Sequence, residues 1–102
     1  MNDPMQNYRE TLDAALRRLQ PHITSGHIIG SDASQFLAVQ RDERGAEIYG
    51  DGQSGFIIDP SLGDELLGEV MYPTVDLALD ATVRWLHGCA LDELRPPITN
   101  VK

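Results

Sequence analysis

Gly50-Asp51-Gly52-Gln53-Ser54-Gly55 carries the G-x-G-x-x-G spacing that lets a backbone approach a pyrophosphate at the start of a helix. That chemistry needs a helix directly after the glycines, because the positive end of its dipole holds the phosphate. Here Phe56-Ile57-Ile58 follows, a strand-forming run, and Asp51 would repel a phosphate. The stretch therefore reads as a glycine-rich hairpin turn, and no cofactor is expected.

His22, His27, His87 and Cys89 are the soft metal ligands of the chain. Neither H-x4-H across a loop nor H-x-C at a helix end is a recurring zinc spacing, so no metal site is expected. His87 also suits the last turn of a helix for its charge alone. Ser31 or Ser34 with His27 and Asp32 spells the residue types of a nucleophilic triad, but no strained-turn motif such as G-x-S-x-G accompanies them. Asp59, after Phe56-Ile57-Ile58, is the acid best placed for acid–base work, while Asp59-Pro60-Ser61 is equally ordinary chemistry for ending a strand. A small enzyme using His27, Asp32 and Asp59 is the lesser alternative, and the leading expectation is that the protein is not an enzyme.

Charge is more distinctive than any motif. Sixteen acids against eight bases leave a net charge of −8 over 102 residues. From Gly45 to Val83 the acids are Glu47, Asp51, Asp59, Asp64, Glu65, Glu69, Asp76 and Asp80, with no lysine or arginine among them. Binding to a phosphate backbone needs clustered bases, so direct nucleic-acid binding is not expected. A basic protein partner is, with Asp51, Asp59, Asp64, Glu65, Glu69, Asp76 and Asp80 as its contacts on one acidic face. The plainer role for the same charge is solubility. No apolar run approaches the roughly 18 residues of a membrane span, and Met1 to Leu12 lacks the layout of a signal peptide, so a cytoplasmic, membrane-free protein is expected.

The elements that must position these residues follow from periodicity. Asp3-Pro4-Met5-Gln6 opens a helix over 3–20, with Met5, Tyr8, Leu12, Ala15, Leu16 and Leu19 on one face and Pro21 as its stop. The sheet region spans 27–72. Its strands are expected at His27–Ser31, Ser34–Arg41, Ala46–Tyr49, Gly55–Asp59 and Glu65–Tyr72, with Pro60 to Asp64 as a loop. Phe36, Leu37, Ala38 and Val39 are all apolar, which predicts a central strand buried on both faces. In the last strand, Glu65 and Glu69 would share a side.

The core helix covers 74–88, capped by Thr74, ended by Gly88 and burying Val75, Ala78, Leu79, Thr82, Leu86 and Cys89 with Trp85 at the edge. Asp80 and Arg84 would pair on its outside. Residues 96–102, with Pro96-Pro97, should form an extended tail. The fold class is α+β: an N-terminal helix, an antiparallel sheet of about four to five strands and a C-terminal helix, both helices packed on the sheet in one domain over 1–102.

In size, acidity and lack of a catalytic signature the chain resembles anti-CRISPR and antirestriction proteins of phages and plasmids, toxin-neutralising immunity proteins and secretion chaperones. The resemblance is one of composition and assigns no residues. It implies an inhibitor that occupies a basic, nucleic-acid-binding surface of its partner. The alternative is a structural or chaperone-like domain that forms a homodimer through a sheet edge.

Overall fold

The computed structural model describes residues 4–52 and 55–94; the expected cap at Asp3 and the tail over 96–102 lie outside the described residues. Helix α1 (Pro4–Leu19) buries Leu12, Ala15 and Leu19 at three- and four-residue steps, while Glu10, Arg17 and Arg18 stay exposed. Pro21 then forces the chain into a single 3-10 turn, Gln20–His22.

Helix α2 (Val75–Leu86) starts where the Thr74 hydroxyl accepts the Leu77 amide at 3.2 Å. It stops at Gly88, whose φ of 109° a side chain would resist. Its buried face is Ala78, Leu79, Ala81, Thr82, Trp85 and Leu86, with Val75 and Cys89 half-buried. Asp80 pairs with Arg18 of α1 rather than with Arg84. Among the described residues no helix is long and apolar enough to cross a membrane.

Between the helices in chain order comes an antiparallel six-stranded sheet: β1 (Ser25–Ile29), β2 (Phe36–Arg41), β3 (Arg44–Gly50), β4 (Phe56–Leu62), β5 (Glu65–Leu66) and β6 (Val70–Tyr72). Strands β1 to β4 are neighbours in chain order, and both β5 and β6 pair with β4. The hairpins are tight where the chemistry allows. Asp42-Glu43 joins β2 to β3 with Asp42 at a φ of 54°, and Gly63-Asp64 joins β4 to β5 with Gly63 at 62°. The Gly63 amide donates to the Glu43 carbonyl at 2.7 Å, tying the two tips together.

Around β4 the structure departs from the sequence-based expectation in two ways. Pro60 does not end a strand, because β4 continues through it to Leu62. In a strand the N–H and C=O of one residue point to the same side, and the Pro60 carbonyl accepts from Leu67 at 2.9 Å. Its missing N–H thus faces the gap between β5 and β6, where no ladder bond is lost.

That gap is a β-bulge. Ser61 pairs with Leu66 and Ile58 with Val70, so Asp59 and Pro60 face three residues, Leu67, Gly68 and Glu69. Gly68, at a φ of 103°, takes up the extra residue. The last strand expected over Glu65–Tyr72 is therefore two, and the alternation reverses between them. Glu65, opposite Leu62, is in phase with the buried Ile58 and Pro60, whereas Glu69 lies on the other side, next to the inward Val70. Glu65 and Glu69 do not share a face.

Both helices cover the same side of the sheet. Leu37, Val39, Ala46, Ile48, Ile58, Val70 and Tyr72 form one core cluster with the buried faces of α1 and α2. Each fully buried leucine or isoleucine contributes about 1.5–3 kcal/mol relative to leaving it in water. Trp85 is 2% exposed, donates through Nε1 to the Gly45 carbonyl at 2.9 Å, and carries the Arg44 guanidinium 4.1 Å over its ring. Arg44 in turn donates to the carbonyls of Trp85 and Cys89 at the end of α2, satisfying groups the helix leaves open.

Candidate functional site

Strand β2 is not buried on both faces. Leu37 and Val39 enter the core, while Phe36 and Ala38 are only half-buried on the side that no helix covers. The physical reason is that the fold has two helices and both lie on one side. On the uncovered side, antiparallel register sets His27, Ala38, Glu47 and Asp59 in one row across β1 to β4. In the next row Ile29 pairs with Phe36, and Tyr49 with Ile57 and then Met71. Ile29 is 45% and Met71 60% exposed. Phe36, Glu47 and Tyr49 line a shallow depression of about 290 Å³ on this face.

Three carboxylates gather among these apolar side chains. Glu47 and Asp59 are directly opposite, and the bulge turns Glu69 towards the same side. Like charges opposed across strands repel, about 4.5–5.5 Å apart at Cβ. The Tyr49 hydroxyl donates to Glu69 Oε2. Asp59 Oδ1 is buried and accepts no hydrogen bond from the described residues. Desolvation first, and the charge of Glu69 second, push the Asp59 carboxyl above its ordinary value. Burial, the bond to Glu69 and the charges of Glu69, Asp59 and Glu47 push the Tyr49 phenol up as well.

None of the described arginines neutralises this set. Arg9, Arg17 and Arg18 belong to α1 and Arg84 to α2, while Arg41 reaches the His22 carbonyl and Arg44 stacks on Trp85, all on the helical side or its margins.

The seven acids expected to contact a partner are thus divided. Asp59 and Glu69 stand on the open sheet face. Asp64 and Glu65 are exposed at the β4–β5 hairpin, and Asp51 lies in the β3–β4 loop, where its Oδ1 accepts the Gly55 amide at 3.2 Å. Asp76 and Asp80 are across the molecule on the outer face of α2, bound to Arg18 at 2.7 and 3.2 Å. Glu47, Tyr49, Phe36, Ile57 and Met71 were missed in the sequence. For Glu47, Tyr49 and Ile57 the signal is the two-residue step of Glu47-Ile48-Tyr49 and Ile57-Ile58-Asp59, which sets Glu47 with Tyr49 and Ile57 with Asp59 on one face.

The other candidate sets do not assemble in the same way. Gly50 ends β3 opposite Phe56, and the glycine-rich stretch after it leads into strand β4 and not into a helix, with Gln53 and Ser54 outside the described residues. Ser34 Oγ donates to the Ser31 carbonyl at 2.7 Å, and no hydrogen bond joins His27 to either serine or to Asp32. His27 and Asp59 share a row but are three strands apart, roughly 14 Å at the usual strand spacing. Cys89 is half-buried, with its thiol pushed up by burial and then by Glu93. Among the described residues no three histidine, cysteine or acidic side chains form a metal cluster.

No protein-family model, curated protein or solved structure matches this chain.

Proposed function

We propose that this protein is a non-enzymatic binding module whose uncovered sheet face receives a basic, partly apolar segment of a protein partner. The observation that carries this reading is a sheet face that keeps Ile29, Phe36, Ile57 and Met71 beside Glu47, Asp59 and Glu69, with none of the described arginines among them. Apolar side chains left on an open sheet gain by being covered, and unneutralised carboxylates among them select the charge of the cover. A second copy stacked face to face would bring three more carboxylates to a face that already holds three, so charge favours a cationic partner over self-association through this face.

Asp51, Asp64 and Glu65 extend the negative field from the neighbouring loops and steer the approach. Asp76 and Asp80, across the molecule and paired with Arg18, stand outside this face. The role that fits is inhibition, by occupying a basic and often nucleic-acid-binding surface, in the manner of the anti-CRISPR, antirestriction and immunity proteins that it resembles in composition.

The test is calorimetric titration with a synthetic peptide in which arginine alternates with leucine, against its glutamate-for-arginine counterpart. Binding of the arginine peptide should weaken as salt rises and should fall at least tenfold in Glu47→Lys and Asp59→Lys, with Asp80→Lys close to the parent. Equal binding of both peptides, or indifference to the sheet-face reversals, contradicts the reading.

A further inference from the structure

His22 and His87, 65 residues apart in sequence, meet where the turn after α1 touches the end of α2: His22 Nδ1 and His87 Nε2 are 2.9 Å apart. Their rings stand edge-on at 87° with centroids separated by 5.1 Å. A neutral imidazole offers one N–H and one lone pair, so this contact holds a single shared proton between two nitrogens that otherwise both present lone pairs to the same point. We propose that the pair is a chelating site for a borderline divalent transition ion, Zn2+ or Ni2+, which takes the place of that proton as the proton passes to the outer nitrogen of the ring that held it.

Zinc–nitrogen bonds of about 2.0–2.1 Å in a tetrahedral site set two imidazole nitrogens roughly 3.3–3.4 Å apart. The nitrogens need part by only a few tenths of an ångström while the rings tilt to aim both lone pairs at the ion, and the exposed His87 has room to do so. The backbones under them are held. The His22 carbonyl accepts from Arg41 Nη1 at 3.4 Å, and the His87 amide donates to the Val83 carbonyl at 3.1 Å. Nitrogen ligands select zinc, nickel or copper over magnesium and calcium.

Beside the pair lies an open cleft of about 460 Å³ lined by Arg18, His22, Asp80, Val83 and Arg84. Arg18 is neutralised there by Asp76 and Asp80, which leaves Arg84, with Arg41 at the His22 carbonyl and Arg44 beside His87, as the cations opposing the ion. With no third ligand among the described residues, the ion keeps water or an exogenous donor in its remaining positions.

Untagged protein titrated with Zn2+, Ni2+ and Mg2+ by calorimetry, with melting followed in parallel, tests the site. Zn2+ and Ni2+ should bind one per chain and raise the melting temperature saturably, while Mg2+ should do neither. His22→Ala and His87→Ala should each lower Zn2+ affinity at least tenfold, and His27→Ala, remote on β1, should bind like the parent. Circular dichroism of the metal-free variants separates loss of a ligand from loss of the fold. No saturable binding by the parent, or undiminished binding by correctly folded His22→Ala and His87→Ala, overturns the proposal.

Discussion

Glu47 and Asp59 lie directly opposite each other on β3 and β4, on the face of the sheet that neither helix covers. Two carboxylates in that relation repel, and the lower-energy arrangement is reached when one takes a proton or a cation comes between them. Burial of Asp59 sharpens the conflict, and the bulge at Gly68 adds Glu69 to it. The fold thus maintains an unfavourable charge arrangement on its open side.

Asp59→Asn should stabilise the free protein near neutral pH. The folded state holds the Asp59 proton more tightly than the unfolded chain does, so the parent loses stability as pH rises from the ordinary carboxylate value of 3.8 through the raised native value. The advantage of the variant should therefore be full near neutrality and should close as pH falls towards 3.8. Urea midpoints of both proteins across that range measure it.

Leu79→Ala should cost about 2–5 kcal/mol and Trp85→Ala about 3–5 kcal/mol, since the two side chains are 3% and 2% exposed at the centre of the helix–sheet contact. Denaturant unfolding at matched slopes checks this. Midpoints unchanged from the parent would mean that α2 buries another face.

Gly68→Ala should destabilise by about 1–2 kcal/mol through backbone strain, because a φ of 103° resists a side chain although nothing lies within 4 Å of the added carbon. The same change should weaken binding of a cationic peptide, since Glu69 owes its direction to the bulge. Urea unfolding with peptide titration reads both effects.

Local signals reported local structure well. Thr74 and Gly88 bound α2, Pro21 ends α1, and Asp42 and Gly63 turn their hairpins as their residue types imply. What escaped the sequence depends on pairing between distant strands or helices. The bulge follows from how β5 and β6 register against β4, the Arg18–Asp76 and Arg18–Asp80 pairs from how α1 lies along α2, and the His22–His87 contact from the same packing. The double-sided apolar character of Phe36 to Val39 was legible, but an apolar face that no helix covers has the composition of a buried one. Only the number of helices available to cover the sheet distinguishes them.

Amide chemical-shift mapping of the 15N-labelled protein with the arginine–leucine peptide tests the central claim most directly. Perturbations should concentrate on Phe36, Glu47, Tyr49, Ile57, Asp59, Glu69 and Met71, and should shrink in Asp59→Asn. Shifts confined to the outer surfaces of α1 and α2 around Asp76 and Asp80, or no saturable shift at low salt, would contradict the assignment of the open sheet as the binding face.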